Sequence, residues 1–182
     1  MKQDHPFRHC PACGSHTLAF DGINRFSCST CGFVFFHNTA AACGAILLFQ
    51  DPDDGEDRIL LLVRGNEPAR GLLDFPGGFI DPGEAAETAL AREIEEEIAA
   101  EVTDLRYFCS APNQYAYRGV TYATCDLVFT GRLLERPRRI QESEIAGYQL
   151  LEPAEIELSR IAFPSLRGAM DRFLRVLAGD EV

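Results

Sequence analysis

Residues 78–100 read GFIDPGEAAETALAREIEEEIAA. A turn rich in Gly and Pro opens into a helix-forming run that carries Glu93, Glu96 and Glu97. The i, i+3, i+4 spacing puts the three carboxylates on one helical face, so their mutual repulsion must be offset by a cation. A divalent metal is the simplest candidate. Arg92, one turn before Glu96, is placed to pair with it, and Glu84 adds an acid near the helix start, where the dipole favours negative charge. Ala86, Ala89, Leu90, Ile94 and Ile98 supply a shallow apolar stripe for burial. A solvated acidic helix has a similar composition. The upstream turn FPGG at 75–78 separates the two readings, because its glycines let the backbone approach a ligand closely.

A second signal lies at 10–14, CPACG, and 28–32, CSTCG. Two C-x-x-C knuckles joined by a short strand-like stretch can close a tetrahedral thiolate site through Cys10, Cys13, Cys28 and Cys31. A segment of about forty residues buries too little apolar surface to fold without such a staple. Zinc is the first choice, with iron in the same geometry or two disulfides as alternatives. Four cysteine ligands leave no open position, so this metal holds shape. Cys43, Cys109 and Cys125 read as small apolar residues of strands, and His5, His9, His16 and His37 as surface residues.

The chain has 182 residues, 46% of them hydrophobic, which is room for one ordinary domain and a small appendage. Its net charge of -11 speaks against general nucleic-acid binding, which needs clustered Lys and Arg. If the ligand is a phosphate compound, metals and a few arginines must supply the positive field; Arg64, Arg70, Arg118, Arg136, Arg138 and Arg139 are available. The first ten residues contain no apolar signal region, and the longest apolar run, 40–49, is too short to span a bilayer, so no membrane role and a cytoplasmic location are expected.

The ribbon is expected over 1–37 and the main domain over 38–182. A first strand begins near Ala40, the loop DPDDGED at 51–57 reverses the chain into a second, and further strands fall near 102–109 and 122–134. A last helix starting near Pro164 presents Leu166, Met170, Phe173 and Leu177 to the core. Strands on both sides of a central helix, with a terminal helix closing the other face, predict an α/β layered domain.

Gly78, five residues, Glu84, seven residues, Arg92-Glu93-Ile94, one residue and Glu96-Glu97 resemble the Nudix box of the Nudix hydrolases. Ala99 and Ala100 stand where that box has Gly and a bulky aliphatic, which leaves open how this helix ends. The resemblance implies an α/β/α sandwich around a mixed sheet, and metal-dependent hydrolysis of a nucleoside diphosphate linked to another moiety. It implies that Glu93, Glu96, Glu97 and the Gly77 carbonyl bind Mg²⁺ or Mn²⁺, that Arg92 orients them, and that Glu84 contributes through water. The general base is either a box glutamate or a later acid, Glu142 or Glu144, with Glu144 preferred because Ile145 and Tyr148 follow the family pattern.

A ribbon leading into this domain is similar to the NADH pyrophosphatase branch, whose second motif has the form S-Q-P-W-P-F-P-x-S. Residues 110–118, SAPNQYAYR, keep its serine, one proline and an aromatic but lack the tryptophan. NADH and ADP-ribose are the leading substrates on that basis. Tyr115 and Tyr117, on one strand face, are candidates to stack on a base, with Arg70 and Gly78 beside them. A homodimer is implied by analogy. The alternative function is a non-catalytic nucleotide sensor whose ribbon contacts protein or nucleic acid.

Overall fold

A computed structural model describes residues 7–180; His5 lies outside them. The chain opens with three short antiparallel strands, β1 (Leu18–Phe20), β2 (Arg25–Cys28) and β3 (Val34–Phe36). Both cysteine knuckles close in the same way. The Gly14 N–H donates to the Cys10 carbonyl at 2.8 Å and the Gly32 N–H to the Cys28 carbonyl at 3.0 Å. Each glycine has a left-handed φ, +73° and +75°, which explains the Gly after each C-x-x-C. Phe26 is buried beneath the rings of Phe7, Phe20 and Phe35.

A seven-stranded sheet follows. Its strands are β4 (Ala40–Gln50), β5 (Asp57–Arg64), β6 (Leu73–Asp74), β7 (Gly77–Phe79), β8 (Val102–Tyr117), β9 (Val120–Leu133) and β10 (Ile145–Leu151). They run in the order β10-β5-β4-β9-β8, with β6 on β5 and β7 on β4. The β4–β9 pair is parallel and the others antiparallel, so the sheet is mixed, as expected. Alternation sends Leu47, Leu60, Leu62 and Phe129 to one face, against Leu90, Ile94 and Ile98 of helix α1 (Ala86–Ile98). Ile46, Ile59, Leu61 and Val128 go to the other, against Leu166, Met170 and Phe173 of helix α2 (Pro164–Leu177). The result is the α/β/α sandwich.

Two details differ from the sequence reading, and a third answers a point it left open. Leu177 stays 47% exposed, because it falls in the last turn of α2, one turn past the last buried residue, Phe173. β8 does not stop near Cys109 but runs to Tyr117, paired with β9 throughout; Pro112 is tolerated because β8 is an edge strand. Helix α1 ends on Ala99 in a left-handed conformation, φ 47°, where glycine is usual. The helix has no basic residue in its last turn. Instead Arg138 donates to the Ala99 carbonyl at 2.8 Å, and Arg139 adds a bond at 3.3 Å to the Glu95 carbonyl, which already accepts the Ala99 N–H at 3.1 Å. Among the described residues no helix is long and apolar enough to cross a membrane.

Candidate active site

The β4–β7 pairing holds the turn at 75–78 beside α1. A cavity of about 630 Å³ opens there, lined by Gly77 and Gly78 from β7 and by Arg92, Glu93, Glu96 and Glu97 from α1. Helical spacing presents the carboxylates as one acidic wall, but they do not meet at a point. Among the described residues, the only group of three or more His, Cys, Asp or Glu with ligand atoms within 4.8 Å of one another is the four cysteines. Arg92 bridges Glu93 and Glu96, while Glu97 turns to the Gly77 N–H.

Arg92 is the hub of this wall. Its Nε and Nη2 donate to Glu84 at 3.1 and 3.0 Å, Nη1 to Glu93 at 2.8 Å and Glu96 at 3.4 Å, and Nη2 to the Phe79 carbonyl at 3.3 Å. The guanidinium thereby holds the Glu84 carboxyl below its usual range. Glu84 lies in the turn before α1 and does not line the cavity; its place is behind Arg92. Glu93 packs so tightly on Gly78 that a Cβ there would sit 2.6 Å from its carboxyl carbon. Gly78→Ala therefore displaces Glu93, and turnover is expected to fall about tenfold or more with little change in thermal stability, checked by steady-state kinetics beside a melting curve.

Glu97 differs from its neighbours. It is only 9% exposed and accepts the Gly77 N–H at 2.8 Å. Burial pushes its carboxyl up to about 9, opposed by that N–H and reinforced by Asp74, Glu93 and Glu144. Burial likewise raises Glu93, with Arg92 opposing. Two acids driven towards their neutral forms signal negative charge that the protein does not neutralise by itself, which suits a hard divalent cation on carboxylate oxygens.

Opposite this wall the cavity takes Glu144, at the start of the β10 edge, but not Glu142. The loop is fixed by Gly65 N–H donating to the Glu144 carbonyl at 2.7 Å and by Gln141 Nε2 near the Glu144 carboxylate at 3.4 Å. The cavity then continues past Arg64 and Asp74 to Tyr115, Tyr117 and Phe163. Tyr115 sits 6.2 Å from Tyr117, 5.6 Å from Phe79 and 5.8 Å from Phe163, ring centre to ring centre.

Of the arginines, Arg64 reaches the cavity and Arg70 does not; Arg70 is exposed beyond the cis-Pro68 turn. Arg64 bonds Asp74 at 2.5 Å and lies over the Phe163 ring at 5.0 Å. Arg136, Arg138 and Arg139 are used elsewhere, on Asp51, Ala99 and Glu95. Arg118 lies over Tyr117 at the β8–β9 turn. Asp74, Asp126, Thr124 and Phe163 were missed by sequence reasoning. Only Asp74, next to the FPGG turn, carried a local signal.

The four ribbon cysteines are not disulfide-bonded. Their Sγ atoms lie within 4.8 Å of one another, with Cys10–Cys31 at 3.7 Å and Cys13–Cys28 at 3.8 Å. A tetrahedral metal at about 2.3 Å from each sulfur sets the S···S separation near ~3.8 Å, so the set fits such an ion as it stands. Thr17 Oγ1, 3.4 Å from Cys28 Sγ, together with the Cys31 and Thr30 backbone, lowers the Cys28 thiol, whereas the neighbouring sulfurs and burial raise that of Cys31, so without an ion the four do not all ionise together. Cys43 is buried, whereas Cys109 and Cys125 are half-buried.

Comparison with known proteins adds a common frame. A NAD-capped RNA hydrolase NudC from Deinococcus radiodurans is 27% identical over 144 residues, 79% of this chain and 49% of the relative. An ADP-ribose pyrophosphatase from Methanocaldococcus jannaschii is 38% identical over 64 residues, 35% of this chain and 34% of the relative. The chain thus spans half or less of the length of these curated relatives. Among solved structures, a NUDIX hydrolase from Nitrosomonas europaea superposes with a TM-score of 0.70 at 22% identity, covering 97% of this chain and 96% of that one. The NUDIX domain of Shewanella oneidensis NrtR complexed with ADP ribose gives 0.63 at 23% identity, covering 78% and 90%. At these identities the two structures bear on fold alone. The family model described as NUDIX domain matches residues 40–175, from the first strand of the large sheet nearly to the end of α2, and with that span covered the chain belongs to the Nudix hydrolase family.

Proposed function

We propose that the chain hydrolyses the diphosphate linkage of a small dinucleotide such as NADH or ADP-ribose, using Mg²⁺ or Mn²⁺ at the α1 wall. One observation carries this: a single cavity joins the Glu93, Glu96 and Glu97 carboxylates to the Tyr115, Tyr117 and Phe163 rings. One end suits a metal and its phosphates, the other a flat base or nicotinamide ring. The printed activities of the relatives, on NAD-capped RNA and ADP-ribose, support a substrate in which a nucleoside diphosphate carries a second group.

A bound divalent ion would shield the diphosphate and lower the pKa of a coordinated water. Glu93, Glu96 and Glu97, with the Gly77 carbonyl, are the residues to hold it. Arg92 is a positioning residue, fixing Glu93 and Glu96 while Glu84 braces its other edge. Glu144, across the cavity, is placed to take a proton from the attacking water. Gly78 leaves room for Glu93, and Arg64 is the cavity's arginine in place of Arg70. The Cys10, Cys13, Cys28 and Cys31 site is proposed to hold structural zinc, with the ribbon ending at 37 and the catalytic domain running from 38 to 182.

The test is a turnover panel of NADH, NAD⁺, ADP-ribose, FAD, diadenosine polyphosphates, nucleoside triphosphates and NAD-capped RNA, with either metal. Turnover confined to linked nucleoside diphosphates is expected, and the net charge of -11 favours the free dinucleotides over the capped RNA. Glu144→Gln is expected to lower kcat about a hundredfold with metal and substrate binding retained. An unchanged kcat transfers the base to another group. No turnover of any compound by the wild-type chain, with binding retained, would favour the sensor.

A further inference from the structure

The cavity has a far end that the hydrolytic step does not use. Strand alternation turns Asn113 and Tyr115 of β8, and Thr124 and Asp126 of β9, towards α2, with Asn113 opposite Thr124 in the register. Asp126 is only 7% exposed and Thr124 only 3%. Thr124 Oγ1 donates to Asp126 Oδ1 at 2.7 Å, and Ser165 Oγ donates to Oδ2 at 2.5 Å.

Both hydroxyl protons are thereby committed, while each carboxylate oxygen keeps capacity for a second bond. This wall can accept hydrogen bonds but has none to donate, and it is anionic. A phosphate, carboxylate or keto oxygen brought against it would be repelled and left unpaired, at a cost far above that of an amino group, which pairs. Asn113, able to donate as well as accept, stands beside it. An amino group adjacent to an acceptor atom matches that pair, and Tyr115 and Phe163, packed on one another at 5.8 Å between ring centres, line the same cavity with aromatic surface.

We propose that Asp126 is the specificity-determining residue of a base subsite for an amino-bearing ring, whose exocyclic NH₂ donates to the Asp126 carboxylate. The proposal rests on the dinucleotide reading above and narrows it. Two parts of such a substrate have this chemistry, the 6-amino group of adenine and the carboxamide of nicotinamide. The bonds to Thr124 and Ser165 also tie α2 to β9, a purely structural role that predicts no ligand preference.

Titration calorimetry on the full chain separates these. AMP is compared with IMP, and nicotinamide mononucleotide with nicotinic acid mononucleotide, in wild type and Asp126→Asn. The wild type is expected to prefer the amino-bearing member of one pair by about tenfold or more, and which pair shows it identifies the source. Asn keeps the shape and can still bond both hydroxyls, yet it presents a donor, so the ratio should fall towards one. Equal binding within both pairs, binding of none of the four, or an unchanged ratio in the variant overturns the proposal. If Asp126→Asn does not fold, the wild-type ratios alone decide. None of these ligands contains a diphosphate bond, so failure of the hydrolytic reading is seen separately, as absence of turnover in the panel.

Discussion

Glu97→Gln is expected to lower turnover about a thousandfold and at the same time to raise the stability of the metal-free protein at pH 8. Both effects come from one buried carboxyl. Glu97 sits at 9% exposure, with the Gly77 N–H as its hydrogen-bond donor and Asp74, Glu93 and Glu144 adding repulsion. Its pKa in the folded chain is about 9, against 4.5 as the ordinary value. Between those values the folded state holds a proton that the unfolded chain has lost. Stability of the metal-free protein therefore falls as pH rises through this window, by about 1.4 kcal/mol per pH unit. Below about pH 3.5, under the ordinary value of 4.5, both states are protonated and the slope vanishes.

Gln removes the titration, so the offset between wild type and variant should be constant below about pH 3.5 and widen as pH rises. Added Mg²⁺ should stabilise the wild type more at pH 8 than at pH 6, because binding requires the ionised carboxylate, and should leave the variant nearly unchanged. Thermal unfolding across pH, with magnesium simply omitted, reads this out; a chelator would also attack the cysteine site. Turnover unchanged in Glu97→Gln removes Glu97 from the mechanism, and parallel melting curves remove the account of its charge.

Cys28→Ser is expected to unfold the ribbon while leaving the large sheet in place. The three ribbon strands comprise ten residues in all, and Phe26 is their one fully buried aromatic ring. Burying such a ring contributes about 2–3 kcal/mol, whereas ordering the backbone costs about 1–2 kcal/mol per residue. A tetrahedral zinc site contributes on the order of 10–16 kcal/mol, enough to close that gap. Hydrogen exchange should show residues 10–37 losing protection in the variant, with β4, β5 and β9 unaffected. Metal analysis should fall from one zinc per chain to none. Retained protection in a metal-free ribbon would mean that the thiols are not the staple, and iron in place of zinc would leave the architecture but change the ion.

The parts of this protein legible in its sequence are those made by neighbours along the chain. Glu93, Glu96 and Glu97 share a face because of helical spacing, and Arg92 reaches Glu96 from one turn away for the same reason. Each C-x-x-C-G closes its own knuckle through a bond from the glycine back to the first cysteine. Strand positions such as Ile46 and Leu47 sort themselves onto opposite faces by alternation. Such contacts need no knowledge of the rest of the fold.

Where the reading went astray, distant segments had decided the outcome. Arg64 and Arg70 look alike in the chain, yet pairing of β5 with β6 sets Arg64 against Asp74 and leaves Arg70 in solvent. Arg138 and Arg139, which looked free to meet phosphate, reach the Ala99 and Glu95 carbonyls at the end of α1, where the helix has no basic residue of its own. Asp126 gains its meaning from Ser165, thirty-nine positions away, when α2 packs on β9. Helical spacing, a glycine after each C-x-x-C and strand alternation were enough for the acidic helix, the cysteine knuckles and the layered order, since each depends on backbone geometry repeated over a few residues. Packing between distant segments set which charges stay free, which carboxyl is buried enough to resist ionisation, and what shape of ligand the cavity accepts, because those depend on what the surrounding elements exclude from water.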